Sequence, residues 1–334
     1  MNLTRLASVS AIALIAGVSA PTLGDPHRAV DAYPNTLGNS AAASYATRYA
    51  ANRAELARLG GSPVRAGTQA QVGRMWDGAG SKARTGRERA ALFARWAAQR
   101  RRVLAFDPRG DGRMVQVYGD LAHADRVVVY VPGNAKTVDN FDAATAAEPK
   151  TAPGPVSADL YAEARSVRPS ARTAVIAWLG YDPPENIDMV SVESARAMAG
   201  ARSLTRLLRV LPHRARVSLV CHSYGTVVCG RAASRVPVAN VVALASPGMD
   251  VPSARAVKGR VWAGRAADDL IRLTPHVRLG GLGHGADPMS PAFGARLIDT
   301  AGDHGHEGYF TPGSGSLREI AEIATGAPAA TADR

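Results

Sequence analysis

A serine stands at a strand-to-helix transition in Val217-Ser218-Leu219-Val220-Cys221-His222-Ser223-Tyr224-Gly225, and Thr226 to Ala233 continues with helical character. A sharp turn here lifts the Ser223 hydroxyl above the strand end and places a helix N-terminus beneath it, which favours the anion formed during nucleophilic attack. Such a nucleophile elbow normally reads Gly-x-Ser-x-Gly, because neighbouring backbone passes close to both small positions. Cys221 takes the first of them here and Gly225 the second. The chemistry that this serine can do is attack on an acyl carbonyl, which requires an imidazole base, a carboxylate to orient it, and donors for the developing oxyanion.

Each of these has candidates at the proper place along the chain. Val127 to Val131 is an apolar strand running into Pro132-Gly133-Asn134, a loop that can supply one oxyanion amide, from Asn134 first and Gly133 next; the amide of Tyr224 supplies the other. Downstream, Arg260-Val261-Trp262-Ala263-Gly264 reads as a strand, with Asp268-Asp269-Leu270-Ile271 a few residues past it. The aliphatic residue at the second position after Asp269 favours that carboxylate, Asp268 is the alternative, and Asp250 is a distant third. Near the C-terminus Asp303-His304-Gly305-His306-Glu307-Gly308-Tyr309-Phe310 forms a Gly-rich loop in which His306 or His304 can act as base. Two histidines one residue apart can also ligate metal, but Asp303 and Glu307 do not complete a ligand pattern, and no metal or organic cofactor is expected.

The elements that must position these groups follow from hydrophobic periodicity. Helices are expected over Asn39 to Gly60 and, with a break near Gly78 and Gly80, over Thr68 to Arg101. Val103 to Phe106 and Met114 to Tyr118 flank a turn-rich Asp107 to Gly112, predicting an antiparallel hairpin at a sheet edge. Apolar runs then recur at Arg126 to Val131, Thr173 to Leu179, Arg216 to Val220, Val241 to Ala245 and Gly259 to Ala263, and Ala295 to Asp299 can form a last strand. Their alternation with helical stretches such as Ser191 to Val210 predicts an α/β domain with a mostly parallel sheet covered on both faces, plus an N-terminal helical appendage. In such sheets the site lies beyond the C-terminal strand ends. The resulting division is 1–24 as a leader or anchor, 25–101 as a helical N-terminal region, 102–326 as the catalytic domain and 327–334 as a tail.

The net charge of +12 on 334 residues comes almost wholly from arginine, since the only lysines are Lys82, Lys136, Lys150 and Lys258. Without aromatic interleaving or a recognisable module this charge does not point to nucleic acid, although contact with an anionic envelope surface is compatible with it. Cys221 and Cys229, the only cysteines, are expected too far apart to bridge, and read as small buried packing residues. Arg5 followed by an uncharged Ala7 to Leu23, with Val18 and Ala20 suiting a cleavage site, resembles a secretory leader, so a secreted or envelope-associated protein is expected.

With these residues in view, the chain resembles a largely uncharacterised branch of the α/β-hydrolase superfamily over roughly Tyr45 to Gly326. The resemblance rests on Val131-Pro132-Gly133, Trp178-Leu179-Gly180-Tyr181-Asp182-Pro183-Pro184, His222-Ser223-Tyr224-Gly225, Ser246-Pro247-Gly248-Met249, His284-Gly285-Ala286-Asp287-Pro288, Phe293-Gly294-Ala295-Arg296 and His306-Glu307-Gly308-Tyr309-Phe310. It implies an α/β-hydrolase fold, Ser223 as nucleophile and His306 as base; the usual elbow of the branch has Gly where Cys221 stands. The expected activity is hydrolysis of a small-molecule or lipid ester through Ser223, Asp269 and His306, with acyl transfer to an envelope alcohol or a non-catalytic binding module as rivals. Trp178, Tyr181, Asp182 and Tyr309 are expected to contact substrate, the aromatic rings lining an apolar cleft together with Tyr224.

Overall fold

Residues on alternate faces of the expected strands are apolar on both sides, which is what a sheet sandwiched between helix layers demands. A computed structural model of the chain describes residues 41–61, 85–143, 151–185, 195–278 and 283–326. The leader segment, the stretch expected to carry the break near Gly78 and Gly80, and the C-terminal tail lie outside the described residues. Helices α1 (Ala41–Gly60) and α2 (Gly86–Ala98) are followed by strands β1 (Arg102–Asp107), β2 (Arg113–Tyr118) and β3 (Arg126–Val131). Then come α3 (Pro153–Val167), β4 (Thr173–Leu179), α4 (Ala195–Val210), β5 (Arg216–His222), α5 (Gly225–Ala233), β6 (Asn240–Leu244), β7 (Arg260–Gly264), β8 (Arg296–Leu297) and α6 (Gly315–Thr325).

The strands form one 8-stranded sheet in the order β1-β2-β4-β3-β5-β6-β7-β8. β1 and β2 pair antiparallel as the hairpin pattern predicts, β2 meets β4 antiparallel, and every pairing from β4 through β8 is parallel. Along β3, Val127, Val129 and Val131 enter one core, which also holds Leu204 of α4 and Val227 of α5. Val128 and Tyr130 enter the opposite core with Leu160 of α3 and Ile320 of α6. The period of two along each strand thus feeds two helix layers, and the central strands are buried beyond their first residues as parallel strands usually are.

The N-terminal helices build a third apolar cluster. Leu56 of α1 and Leu92, Phe93 and Trp96 of α2 pack with Val103, Met114, Phe141 and Leu179 beside the hairpin. Thr85 and Glu88 form a capping box that starts α2, so its first orphan amides are satisfied by side chains. Buried Arg89 then ties this helix to the sheet side, bonding Asp139 through Nε at 2.8 Å and the Gly110 carbonyl through Nη1 at 2.7 Å. Among the described residues no helix is long and apolar enough to cross a membrane.

One expectation is corrected here. Cys221 and Cys229 form a disulfide across a Cα–Cα distance of 6.5 Å. The helix after the elbow begins at Gly225, so Cys229 lies little more than one turn along it. At about 1.5 Å rise per residue it has not travelled far from the strand end. The separation falls inside the range of about 4.4–6.8 Å that a disulfide spans. Both sulfurs are enclosed in the core beneath Ser223, each residue being 0% exposed.

Candidate active site

β5 ends at His222 and α5 starts at Gly225, leaving Ser223 at the apex with φ 53°, in the left-handed region that non-glycine residues rarely adopt. The turn is held from several sides. The Ser223 amide donates to the Leu244 carbonyl at 2.9 Å, and Thr226 Oγ1 donates to the Ser223 carbonyl at 2.7 Å. Gly225 is obligatory: a Cβ there would stand 2.5 Å from the Val131 carbonyl oxygen and 2.6 Å from that of Pro132. At the other small position the Cys221 side chain points into the core on the α5 side and joins Cys229. That direction explains how this elbow accommodates a side chain where the usual motif has glycine.

The imidazole of His306 reaches this serine. Its Nε2 lies 2.9 Å from Ser223 Oγ, and its Nδ1 lies 2.9 Å from Asp269 Oδ1. Since an ionised carboxylate only accepts, Nδ1 carries the proton and Nε2 presents its lone pair to the hydroxyl. Asp269 follows β7, as its parallel pairing with β6 requires for a residue at the C-terminal edge of the sheet. Burial alone would push its carboxyl up, but hydrogen bonds from His306, from the Tyr309 hydroxyl and from the Ile271 amide together hold it below the ordinary aspartate value.

The neighbouring candidates are sorted by the same geometry. Asp268 faces outward, accepts the Gly305 amide at 2.8 Å and lies 3.5 Å from His304 Nδ1, whose side chain is 86% exposed. Asp250 is engaged by Arg231 and Arg278. Gly133 lies directly against Ser223: a Cβ added there would be 2.6 Å from Ser223 Cβ and 3.2 Å from its Oγ. Asn134 is the next residue of that loop, whose continuation at Ala135 donates its amide to the Pro184 carbonyl at 2.8 Å. Tyr224 directly follows Ser223 and caps α5.

The expected cleft of aromatic rings is not formed. Trp178 and Tyr309 are 0% exposed and Tyr181 is 2% exposed. Trp178 and Tyr181 stack on one another with centroids 5.6 Å apart, and the Tyr181 hydroxyl donates to the Pro132 carbonyl at 2.7 Å, bracing the loop that contains Gly133. The Tyr224 ring is buried as well, its hydroxyl accepting the Ala197 amide at 3.1 Å. In an alanine-rich chain with 5% aromatic residues, the few large rings are drawn inward to fill volume between the layers. Asp182 pairs with Arg196 at 2.8 Å instead of standing free.

His222, the variable position of the elbow, is read from the sequence as packing below the site, and it is buried there, 2% exposed. Its Nε2 lies 2.7 Å from the His306 carbonyl oxygen, so that nitrogen is the protonated one. Its ring packs edge-on to that of His306 with centroids 4.9 Å apart. Burial pushes its titration well below the ordinary histidine value, His306 and Lys136 pushing the same way, so the ring is neutral in the folded protein. Once unfolded it takes up a proton below about pH 6.5. The unfolded chain therefore binds more protons in that range, and stability falls as pH drops, by up to about 1.4 kcal/mol per unit from this one group. His222→Gln keeps an N–H for the carbonyl and cannot titrate. It is expected to flatten the dependence of Tm on pH between about 5 and 6.5, and an unchanged slope in thermal melts would count against the neutral assignment.

Two curated proteins of Mycobacterium tuberculosis, from strains H37Rv and CDC 1551 and both described as uncharacterized, are 29% identical over 268 residues, covering 67% of this chain. The chain spans only 39% of their length. Among solved structures, it is similar to a 2,6-dihydroxy-pseudo-oxynicotine hydrolase at 11% identity, with a TM-score of 0.41 and 73% of each chain covered. It is also similar to a carboxyl esterase of Tuber melanosporum at 11% identity, with a TM-score of 0.40 and 68% of this chain and 87% of that one covered. A Trichoderma reesei cutinase bound to a phosphonate inhibitor matches at 15% identity, with a TM-score of 0.34 and 61% and 74% covered. The model of a family described as alpha/beta hydrolase matches residues 107–279, more than half of the 334, a span that includes Ser223 and Asp269. The protein belongs to the alpha/beta hydrolase family.

Proposed function

We propose that the protein is a serine hydrolase that cleaves carboxylic esters through an acyl-enzyme, with Ser223 as nucleophile, His306 as general base and Asp269 as the orienting acid. The observation that carries the reading is the continuous relay Asp269 Oδ1 to His306 Nδ1 (2.9 Å), then His306 Nε2 to Ser223 Oγ (2.9 Å), at the C-terminal edge of a parallel sheet. In the first half-reaction His306 takes the Ser223 proton while Oγ attacks the carbonyl carbon. The amides of Tyr224 and of the Gly133-Asn134 loop receive the oxyanion, each such donor being worth about 3 kcal/mol of transition-state stabilisation. Collapse expels the alcohol with the proton held by His306, and water then releases the acid by the same steps in reverse roles.

The substrate is proposed to be a small-molecule or lipid ester, met outside the cytoplasm. A bridge between the chain's only cysteines supports an oxidising compartment, in keeping with the leader-like N-terminus, and the excess of arginine suits an anionic envelope surface. The test is labelling of the purified protein with a fluorophosphonate, followed by peptide mapping and turnover of a chain-length series of aryl esters. The expected result is one equivalent of label on Ser223, and neither label nor turnover in Ser223→Ala. A wild-type protein that stays unlabelled and inert while folded would exclude the reading and leave a binding role for the fold.

A further inference from the structure

We infer that Tyr309 is a positioning residue of this same site, a clamp that registers the segment bearing the base to the loop bearing the acid; the inference rests on the serine-hydrolase reading above. Tyr309 comes three residues after His306, in the short helical turn Gly308–Phe310. Its hydroxyl oxygen lies 3.0 Å from the Ala266 amide, which donates to it, and 2.7 Å from Asp269 Oδ2. A phenol has a single proton, and an amide N–H can only donate, so the proton of Tyr309 is committed to the carboxylate. Ala266 and Asp269 are the two ends of one tight turn, closed by the Asp269 amide donating to the Ala266 carbonyl at 3.1 Å. One hydroxyl therefore grips that turn at both ends.

The consequence for Asp269 is directional. His306 Nδ1 and the Ile271 amide both lie 2.9 Å from Oδ1, with Nδ1 3.2 Å from Oδ2 as well, and the Tyr309 hydroxyl donates to Oδ2. The carboxylate plane is thus fixed from both oxygens, and with it the direction in which the imidazole is pulled. The hydroxyl dipole also withdraws some of the negative charge that stabilises a protonated His306. Tyr309 is 0% exposed, so this role needs no contact with substrate and replaces the cleft-lining role expected from its place beside the base.

The test is Tyr309→Phe, assayed on a soluble aryl ester with rates normalised to active sites by fluorophosphonate titration, so that unfolded protein does not count. The expected result is a fall in kcat of about 10- to 100-fold with KM changed less than about threefold. The acid limb of the kcat/KM profile should also move up by about half a pH unit, because the carboxylate regains charge density. In an Asp269→Ala background the same substitution should be nearly silent, since the hydroxyl acts through that carboxylate. Incorporation of 3-fluorotyrosine at 309, a stronger donor of almost the same shape, should move the acid limb the opposite way and covers the case in which the Phe variant does not fold. Equal losses with and without Asp269, or an unmoved acid limb in both variants, would show a packing role only and overturn the inference. A raised KM at unchanged kcat would overturn it in favour of substrate contact. Wild-type turnover with no effect in either variant refutes this inference alone, whereas a wild type that neither labels nor turns over refutes the hydrolase reading and removes both.

Discussion

His306→Ala is expected to lower kcat on an aryl ester by roughly 10^4- to 10^6-fold, and Asp269→Asn by about 10^4-fold, with little change in KM. Removing the base leaves Ser223 with no acceptor for its proton, and the amide at 269 would favour the imidazole tautomer whose Nε2 carries hydrogen and cannot accept. The adjacent residues provide the control. His304→Ala removes a side chain that is 86% exposed, and surface changes of that kind shift free energies by about 0.5 kcal/mol or less, so activity should stay within about twofold. Asp268→Ala loses one hydrogen bond to the Gly305 amide, worth about 1 kcal/mol, and should cost at most about tenfold through a looser base loop. Measured kcat values that ranked 304 above 306, or 268 above 269, would displace the proposed relay.

Gly133→Ala should lower kcat/KM by about 100-fold or more while the protein remains folded. The added methyl would meet Ser223 Cβ at 2.6 Å, the His222 carbonyl oxygen at 3.1 Å and Ser223 Oγ at 3.2 Å. Two of those atoms belong to the nucleophile, so relief comes from moving either the serine or the loop proposed to supply an oxyanion amide. Displacement of about 1 Å at such a place is enough to cost two orders of magnitude, and overpacking costs about 1–3 kcal/mol of stability. Steady-state kinetics beside a thermal melt would distinguish the two effects. A variant of wild-type activity would mean that this loop does not press on the serine in the working enzyme.

Much of the frame that carries these groups is legible in the order of residues. β3, β4, β5, β6 and β7 occur where unbroken apolar runs stand between helical stretches, because strands covered on both faces have no polar side to interrupt them. The hairpin was signalled by Asp107-Pro108-Arg109-Gly110-Asp111-Gly112, whose two glycines both adopt positive φ. The last strand was less legible: five residues read as β-forming, but only Arg296 and Leu297 pair with β7. Ser223, His306 and Asp269 are found in mutual reach because a parallel sheet gathers the ends of β5 and β7 at one edge, and a single C-terminal loop returns to it.

What one-dimensional pattern could not supply is the direction in which side chains point. Trp178 and Tyr181 stand at the C-terminal end of β4 and Tyr309 three residues after His306, yet alternation along a strand or a tight turn sends each inward. The bridge between Cys221 and Cys229 depends on where α5 begins, and helix boundaries are the least certain feature of any sequence pattern. His222 carried a usable signal: a histidine preceding Ser223 at the buried end of a strand must find a polar partner, and it finds the His306 carbonyl.

The two margins of the sheet bear on how the protein behaves when crowded. At one margin α1 packs along β1 and Asn52 donates to the Val103 carbonyl at 2.9 Å, next to an irregularity in register between Val103 and Ala105. At the other, β8 is two residues long and Arg296 lies over the Trp262 ring at 5.2 Å. An incoming strand from a second molecule needs a flat row of open amides and carbonyls, and a covered, kinked margin or a two-residue one gives it almost no template. Association that extends the sheet from molecule to molecule is thereby disfavoured by the same architecture that gathers the site at one end of the strands.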